Sequence, residues 1–86
     1  MKVTVTKSNI NDGLRCNGKF CPTALALKEA VPGVDWCVTW KHIKILTSAG
    51  DIDKSIKSPQ SVYEFIYKYD GNEAVEPFEF EIDYVE

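Results

Sequence analysis

The cysteines and the single histidine of this sequence could hold a metal ion, because they form two pairs with the same spacing. Four residues separate Cys16 from Cys21, and four separate Cys37 from His42. Two close pairs of sulfur or nitrogen ligands, divided by a longer loop, are the usual sequence form of a structural zinc site. Cys37 belongs to an alternating stretch and His42 to the turn after it, so the two would point to opposite sides of a continuing strand. Two interpretations stay open. Either these four residues bind zinc, with no other cofactor expected, or the cysteines are buried structural residues.

Cys21 is also a candidate reactive thiol, because the sequence places it at the start of a helix. A helix N-terminus stabilises a thiolate through its dipole and free N–H groups, and Arg15 and Lys19 add positive charge nearby. These features predict a lowered pKa for Cys21, with Cys16 as a resolving partner, whereas the alternative is that Cys21 only caps the helix.

The lone His42 has no nucleophile in a recognisable motif, so we predict no catalytic residues and no enzyme activity.

Glu79, Glu81 and Asp83 alternate along the predicted last strand and form a row of carboxylates on one of its faces. Residues two apart on a strand lie about 6.5–7 Å apart, which is close to the phosphate spacing of a single nucleic-acid strand. The row could therefore dock onto a basic groove that a partner protein uses for nucleic acid. The alternative role of such charges is to protect an edge strand from aggregation.

Tyr63 and Tyr67 lie four residues apart on the predicted last helix, beside its main apolar stripe of Val62, Phe65, Ile66 and Tyr69. Partly exposed tyrosines are favoured at protein interfaces, because they combine apolar area with a polar tip. The alternative is that both rings cover the rim of the core with their hydroxyls in water. We predict a partner-binding face made of Tyr63, Tyr67, Glu79, Glu81 and Asp83.

The elements that must position these residues begin with a strand and two helical segments. Alternating residues 2–6 predict a first strand, followed by a single helical turn that Ser8 caps and after which Leu14 points inward. Pro22 predicts a longer helix that begins there, since the missing N–H of proline has no partner at the first helical position. Cys21 is then the N-cap of this helix.

The middle of the chain predicts a meander of two or three strands. Residues 34–41 alternate between apolar and polar types, which places Trp36 and Trp40 on the same core-facing side of a strand. Turns near residues 41–42 and 48–51 separate this strand from the next ones.

The final third of the chain predicts a helix and a strand. Ser58 and Pro59 suit the N-cap and the first position of the helix, and residues 77–85 alternate as an amphipathic strand. The whole order predicts one α+β domain over residues 1–86. In its simplest form, an antiparallel sheet of four or five strands carries two helices on one face.

Composition indicates a cytoplasmic protein that stays out of membranes. The chain has no apolar run of about 18 residues, its N-terminus does not resemble a signal peptide, and an odd number of cysteines fits reduced thiols. The net charge of −3 hides an asymmetry, because residues 1–57 hold nine basic against five acidic residues and residues 58–86 hold one against eight. No concentrated basic patch is evident, so direct nucleic-acid binding stays an open question.

Several segments together resemble a family of small uncharacterised accessory proteins that bacteriophages and some bacteria encode. These segments are CPTALAL at residues 21–27, a tryptophan-containing strand, Ser58-Pro59 with Val62, Phe65 and Ile66, Asp70-Gly71, and PFEF at residues 77–80. The resemblance spans most of the chain and implies a protein made in the cytosol of an infected or lysogenic bacterial cell. Such proteins commonly bind a host or phage macromolecule, and no catalytic residue is carried over.

We therefore predict a small non-enzymatic accessory protein that binds a partner protein and could inhibit a host system. The alternative prediction is a zinc-stabilised nucleic-acid-binding module that uses Cys16, Cys21, Cys37 and His42. The sequence leaves the identity of the partner, the oligomeric state and the strand order open.

Overall fold

The computed structural model of this chain describes residues 1–84. Strands and helices follow one another in the order β1 (Lys2–Val5), α1 (Lys7–Asp12), α2 (Pro22–Ala30), β2 (Asp35–Val38), β3 (His42–Leu46), β4 (Ile52–Lys57), α3 (Gln60–Asp70) and β5 (Phe78–Glu81). All the strand pairs are antiparallel. This architecture confirms the α+β class that the sequence predicts.

The strands form two sheets, so the prediction of a single sheet was wrong. β1 pairs with β5, while β2, β3 and β4 form a separate three-stranded meander. The N-terminal ammonium of Met1 donates to the carbonyl of Ile82 at 2.8 Å, and the Ile82 N–H returns a bond to Met1 at 3.0 Å. The alternation of residues 77–85 indicates a strand but not its partner. Regular pairing ends at Glu81, and residue 85 lies outside the described residues.

The segment after β1 is a helix of six residues, α1, in place of the single turn that was expected. Thr6, and not Ser8, is its N-cap: the Thr6 hydroxyl accepts from the Asn9 N–H at 3.2 Å, and the Asn9 side chain accepts from the Thr6 N–H at 2.9 Å. This reciprocal pair satisfies two free donors at once, which explains why the helix begins earlier than predicted. Leu14 follows the end of the helix and is exposed, contrary to the prediction that it points inward.

The core is one cluster of buried side chains to which both sheets and the two longer helices contribute. Trp36 on β2 is fully buried, and its indole N–H donates to the Val31 carbonyl at 3.4 Å. Tyr84, beyond β5, packs edge-on against the Trp36 ring at 5.3 Å between centroids. The apolar stripe predicted for the last helix is confirmed, since its four residues are all buried: Val62, Phe65, Ile66 and Tyr69. No helix within residues 1–84 has the length and apolar character needed to cross a membrane.

Candidate functional site

Trp40 lies at the tip of a hairpin and not in the core where the sequence predicted it. The pairing of β2 with β3 ends at Val38, and Thr39 and His42 close the turn through a backbone bond of 2.8 Å. The Thr39 hydroxyl also accepts from the His42 N–H at 3.0 Å. Because the strand stops at Val38, the alternation no longer controls where Trp40 points, and the side chain is 47% exposed.

Ser58 fixes this hairpin tip to the start of α3. The prediction that Ser58 is an N-cap was wrong, because Pro59 occupies that position and no side chain caps the helix. The Ser58 hydroxyl donates instead to the Thr39 carbonyl at 3.1 Å, and the Ser58 N–H donates to the Lys41 carbonyl at 2.9 Å. Ser58 is buried, which strengthens these bonds because water cannot compete for them. They bring the tip of the hairpin beside the first turns of α3.

The result is a surface cluster of three aromatic side chains, Trp40, Tyr63 and Tyr67, which we call the aromatic patch. The Trp40 and Tyr63 rings meet edge to face with centroids 5.4 Å apart, and the Tyr63 and Tyr67 rings stack at 6.4 Å. Tyr67 is 68% exposed. The rings therefore support one another while a large apolar area stays in contact with water.

An open depression of about 600 Å³ lies against the aromatic patch. Its other lining residues are Ile66, Gly71 and two acidic residues, Asp70 and Glu73. Asp70 is held in place because its Oδ1 accepts from the Cys16 N–H at 2.9 Å. Both ion pairs found within residues 1–84 lie elsewhere and use other acids, so no ammonium or guanidinium sits within 4.0 Å of these two carboxylates.

A second depression that also borders Trp40 is basic. It has a volume of about 330 Å³, and its lining includes Trp40, Lys41, His42 and Lys57. The Lys41 ammonium lies 4.7 Å from the centroid of the Trp40 ring. Trp40 thus borders both an acidic and a basic depression, and groups of both charge signs lie beside the aromatic patch.

The three cysteines line one cleft of about 280 Å³, next to the patch. They meet there because the loop before α2 runs along the free edge of β2, where the Gly18 carbonyl accepts from the Val38 N–H at 2.8 Å. A Cβ at Gly18 would lie 3.0 Å from both the Cys37 sulfur and the Val38 carbonyl oxygen, so any other residue would force one of these neighbours to shift. Asp70 lines the same cleft.

Cys21 does not have the environment of a reactive thiol. It is the N-cap of α2 as predicted, and its sulfur accepts from the Ala24 N–H at 3.4 Å. Burial nevertheless raises the pKa of the Cys21 thiol, and the bonds from the Ala24 and Thr23 N–H groups only partly oppose this effect. The predicted lowering of this pKa was therefore wrong, because desolvation of the thiolate outweighs the helix N-terminus.

His42 lies apart from the three cysteines with which it was grouped in the zinc hypothesis. It faces the basic depression and does not line the cleft that contains Cys16, Cys21 and Cys37. Among residues 1–84, no group of three or more histidine, cysteine or acidic side chains has an arrangement that could hold a metal ion. The structure therefore brings together three of the four proposed ligands without forming a metal-binding geometry.

The acidic row and the two tyrosines were predicted to form one face. In the structure they do not form a continuous face. On β5, Phe78 packs against Phe65 of α3 with ring centroids 4.7 Å apart. Glu79 and Glu81 alternate with the phenylalanines and therefore point away from α3. Glu79 instead pairs with Lys2 of β1 at 2.9 Å.

Asp83, the third member of the row, is exposed just after β5. Lys2 lies opposite Glu81, and its pKa is raised first by the hydrogen bond that its ammonium donates to Glu79 and also by the charges of both glutamates. The row is therefore partly neutralised by the neighbouring strand, and it lies on a different surface from the tyrosines.

Sequence reasoning missed three residues of this site, which are Trp40, Asp70 and Glu73. The loop closed by residues 39 and 42 consists of Trp40 and Lys41, and this dipeptide is not one of the usual two-residue turn sequences such as Asn-Gly or Asp-Gly. The strict alternation with Trp36 indicated a continuing strand instead.

Comparison of the chain with protein-family models, with curated proteins and with solved structures gives no match. The site must therefore be interpreted from its own geometry.

Proposed function

We propose that this chain is a small non-enzymatic accessory protein that binds a partner protein through the aromatic patch. The supporting observation is that Trp40, Tyr63 and Tyr67 pack on one another at the surface and border a depression of about 600 Å³. Tryptophan and tyrosine are the side chains most enriched among the residues that dominate binding energy at protein interfaces. A partner that covers these rings gains the free energy of removing their apolar area from water.

The rings of the patch already pack on one another in the unbound chain, which favours binding. Trp40 stands on a two-residue hairpin loop that Ser58 ties to α3, and the tyrosines stand on the longest helix. Side chains that are already ordered lose little conformational entropy on binding. We further propose that the protein is phage-related and acts in the host cytosol by inhibiting a host system, which is supported by the resemblance of residues 21–27 and 77–80.

A nucleic-acid-binding module is a second candidate, and one observation favours it. Lys41, His42 and Lys57 lie beside the exposed ring of Trp40, and single-stranded nucleic acids bind where bases stack on aromatic rings next to basic groups. The carboxylates of Asp70 and Glu73, which line the other depression beside Trp40, would repel phosphates. This repulsion, together with the net charge of −3, makes a protein the better candidate partner.

The proposal predicts that substitution of the patch abolishes the capture of a partner from bacterial lysate. Wild-type protein and the double variant Trp40→Ser, Tyr67→Ser would be immobilised, and the captured proteins identified by mass spectrometry. Both side chains are about half exposed or more, so the variant should remain folded by circular dichroism. We expect the recovery of a specific partner to fall at least about tenfold, because each ring is a candidate hot spot.

A matched control is the variant Leu14→Ser, Ile52→Ser, which removes two other apolar side chains that are 52% and 57% exposed. This control should capture the partner as the wild type does.

The acidic row is tested in parallel by Glu79→Lys, Glu81→Lys and Asp83→Lys together. If only this triple variant loses the partner, the binding face lies on the outer side of β5 and the proposal is incorrect.

A further inference from the structure

We propose that the depression beside the aromatic patch binds an arginine side chain of the partner protein. This inference rests on the proposed function and specifies the chemistry that the site recognises. The depression combines three aromatic rings with the carboxylates of Asp70 and Glu73. Aromatic faces attract cations through their quadrupole, and carboxylates add direct charge attraction and hydrogen-bond acceptors.

The first argument is charge complementarity. No basic side chain lines this depression, and within residues 1–84 no cation pairs with either of its carboxylates. Oδ1 of Asp70 already accepts from the backbone of Cys16, which fixes the orientation of the carboxylate without neutralising its charge. The site therefore presents two negative charges next to apolar rings, and a cationic side chain with an apolar stem fits both features.

The second argument is that rings of this chain already attract its own cations. Lys41 lies over Trp40 at 4.7 Å, and Arg15 lies over Tyr69 at 5.4 Å from the ring centroid. Lys41 lines the basic depression and not the acidic one. The acidic depression thus keeps its rings and carboxylates available for a cation supplied by another molecule.

Arginine fits this depression better than lysine. A guanidinium is planar, stacks on aromatic faces and can donate to a carboxylate through two parallel N–H groups. It is also more weakly hydrated than an ammonium, so less hydration is lost when it is covered by rings. The open shape of the depression suits a side chain that extends from a partner surface, in contrast to a free small molecule that needs an enclosed pocket.

The test is a titration with N-acetyl-L-arginine N-methylamide, followed by the indole N–H signals of the two tryptophans in two-dimensional NMR. The neutral isostere N-acetyl-L-citrulline N-methylamide is the comparison ligand. We expect the Trp40 signal to move with arginine, while that of buried Trp36, whose N–H is bonded to Val31, stays in place. Citrulline should bind at least about fivefold more weakly.

The variant Asp70→Asn, Glu73→Gln removes both charges but keeps an oxygen that can accept from Cys16. We expect it to weaken the binding of arginine about tenfold, whereas Asp51→Asn, Asp53→Asn changes the net charge equally at exposed sites outside the depression and should have no effect. The proposal is overturned if arginine leaves Trp40 unchanged at 50 mM, if citrulline binds equally well, or if both double variants behave alike.

The failure of this inference can be distinguished from the failure of the proposed function. If the Asp70→Asn, Glu73→Gln variant still captures the partner from lysate while Trp40→Ser, Tyr67→Ser does not, then the patch is the binding face but arginine is not its target. If both variants capture the partner as the wild type does, the proposed function fails as well.

Discussion

Two tryptophans four residues apart have opposite roles in this protein. Trp36 lies within a paired strand, is fully buried and donates its indole N–H to a backbone carbonyl. Trp40 lies in the hairpin loop, where neither strand pairing nor core packing holds its ring. Its ring packs edge to face on Tyr63 and joins the two tyrosines in a contiguous exposed aromatic patch, and such patches mark interaction sites. At the scale of single residues, Trp40 is therefore the strongest indication of function.

The environment of the cysteines predicts a strong difference in reactivity. Cys16 is exposed, whereas Cys21 is buried and its pKa is raised by desolvation. At pH 8, therefore, only a small fraction of Cys21 is thiolate, and an alkylating reagent has little access to it. We expect iodoacetamide to alkylate Cys16 at least about a hundredfold faster than Cys21 in the folded protein. Peptide mapping by mass spectrometry measures both rates in one sample. In guanidinium chloride the two rates should become similar, and rapid alkylation of Cys21 in the folded state would contradict this description.

At the scale of elements, the sequence predicted helices and strands well where local rules decide. Pro22 and the N-cap Cys21 begin α2 as expected, and the stripe of α3 is buried as its spacing predicts. The error at the start of α3 arose because a polar residue had two possible hydrogen-bond partners. Ser58 was a good candidate for the cap of α3, but the Thr39 carbonyl, nineteen residues earlier, takes its hydroxyl. No local rule includes that distant acceptor.

The role of Ser58 gives a prediction at this scale. Ser58→Ala removes the bond to the Thr39 carbonyl and leaves a partly buried acceptor without its partner, which should lower the free energy of unfolding by about 1–2 kcal/mol. The control Ser61→Ala, at an exposed position of α3, should change it by less than about 0.5 kcal/mol. Urea denaturation measures both. The backbone amide NMR signals of Trp40 and Lys41 should also shift in Ser58→Ala. Unchanged amide signals in the hairpin would argue against the hydrogen bond from Ser58 to Thr39.

At the scale of the whole molecule, the sequence predicted the class of the fold but not the pairing of its strands. β1 and β5 stand at opposite ends of the chain and carry similar alternation, so their patterns do not say that they pair with each other. The two sheets nevertheless share one core, and the Cα radius of gyration of 11.8 Å is close to the roughly 12 Å expected for a single folded domain of this length.

This topology also explains why the candidate site was only partly predictable. The two tyrosines could be assigned from helical spacing alone. Their contact with Trp40 depends on the docking of a hairpin onto α3, and the position of the acidic row depends on the pairing of β5 with β1. Both are long-range arrangements, which spacing along the chain does not determine.

Site-specific photo-crosslinking tests the central claim, that the aromatic patch contacts a partner protein, most directly. The photoreactive residue p-benzoyl-L-phenylalanine would replace Tyr67, which is 68% exposed, and in a control protein Ile52, which is 57% exposed and outside the patch. We expect irradiation in bacterial lysate to give one discrete protein adduct from position 67 and none from position 52. Equal crosslinking at both positions, no adduct at position 67, or an adduct that nuclease removes would contradict the account.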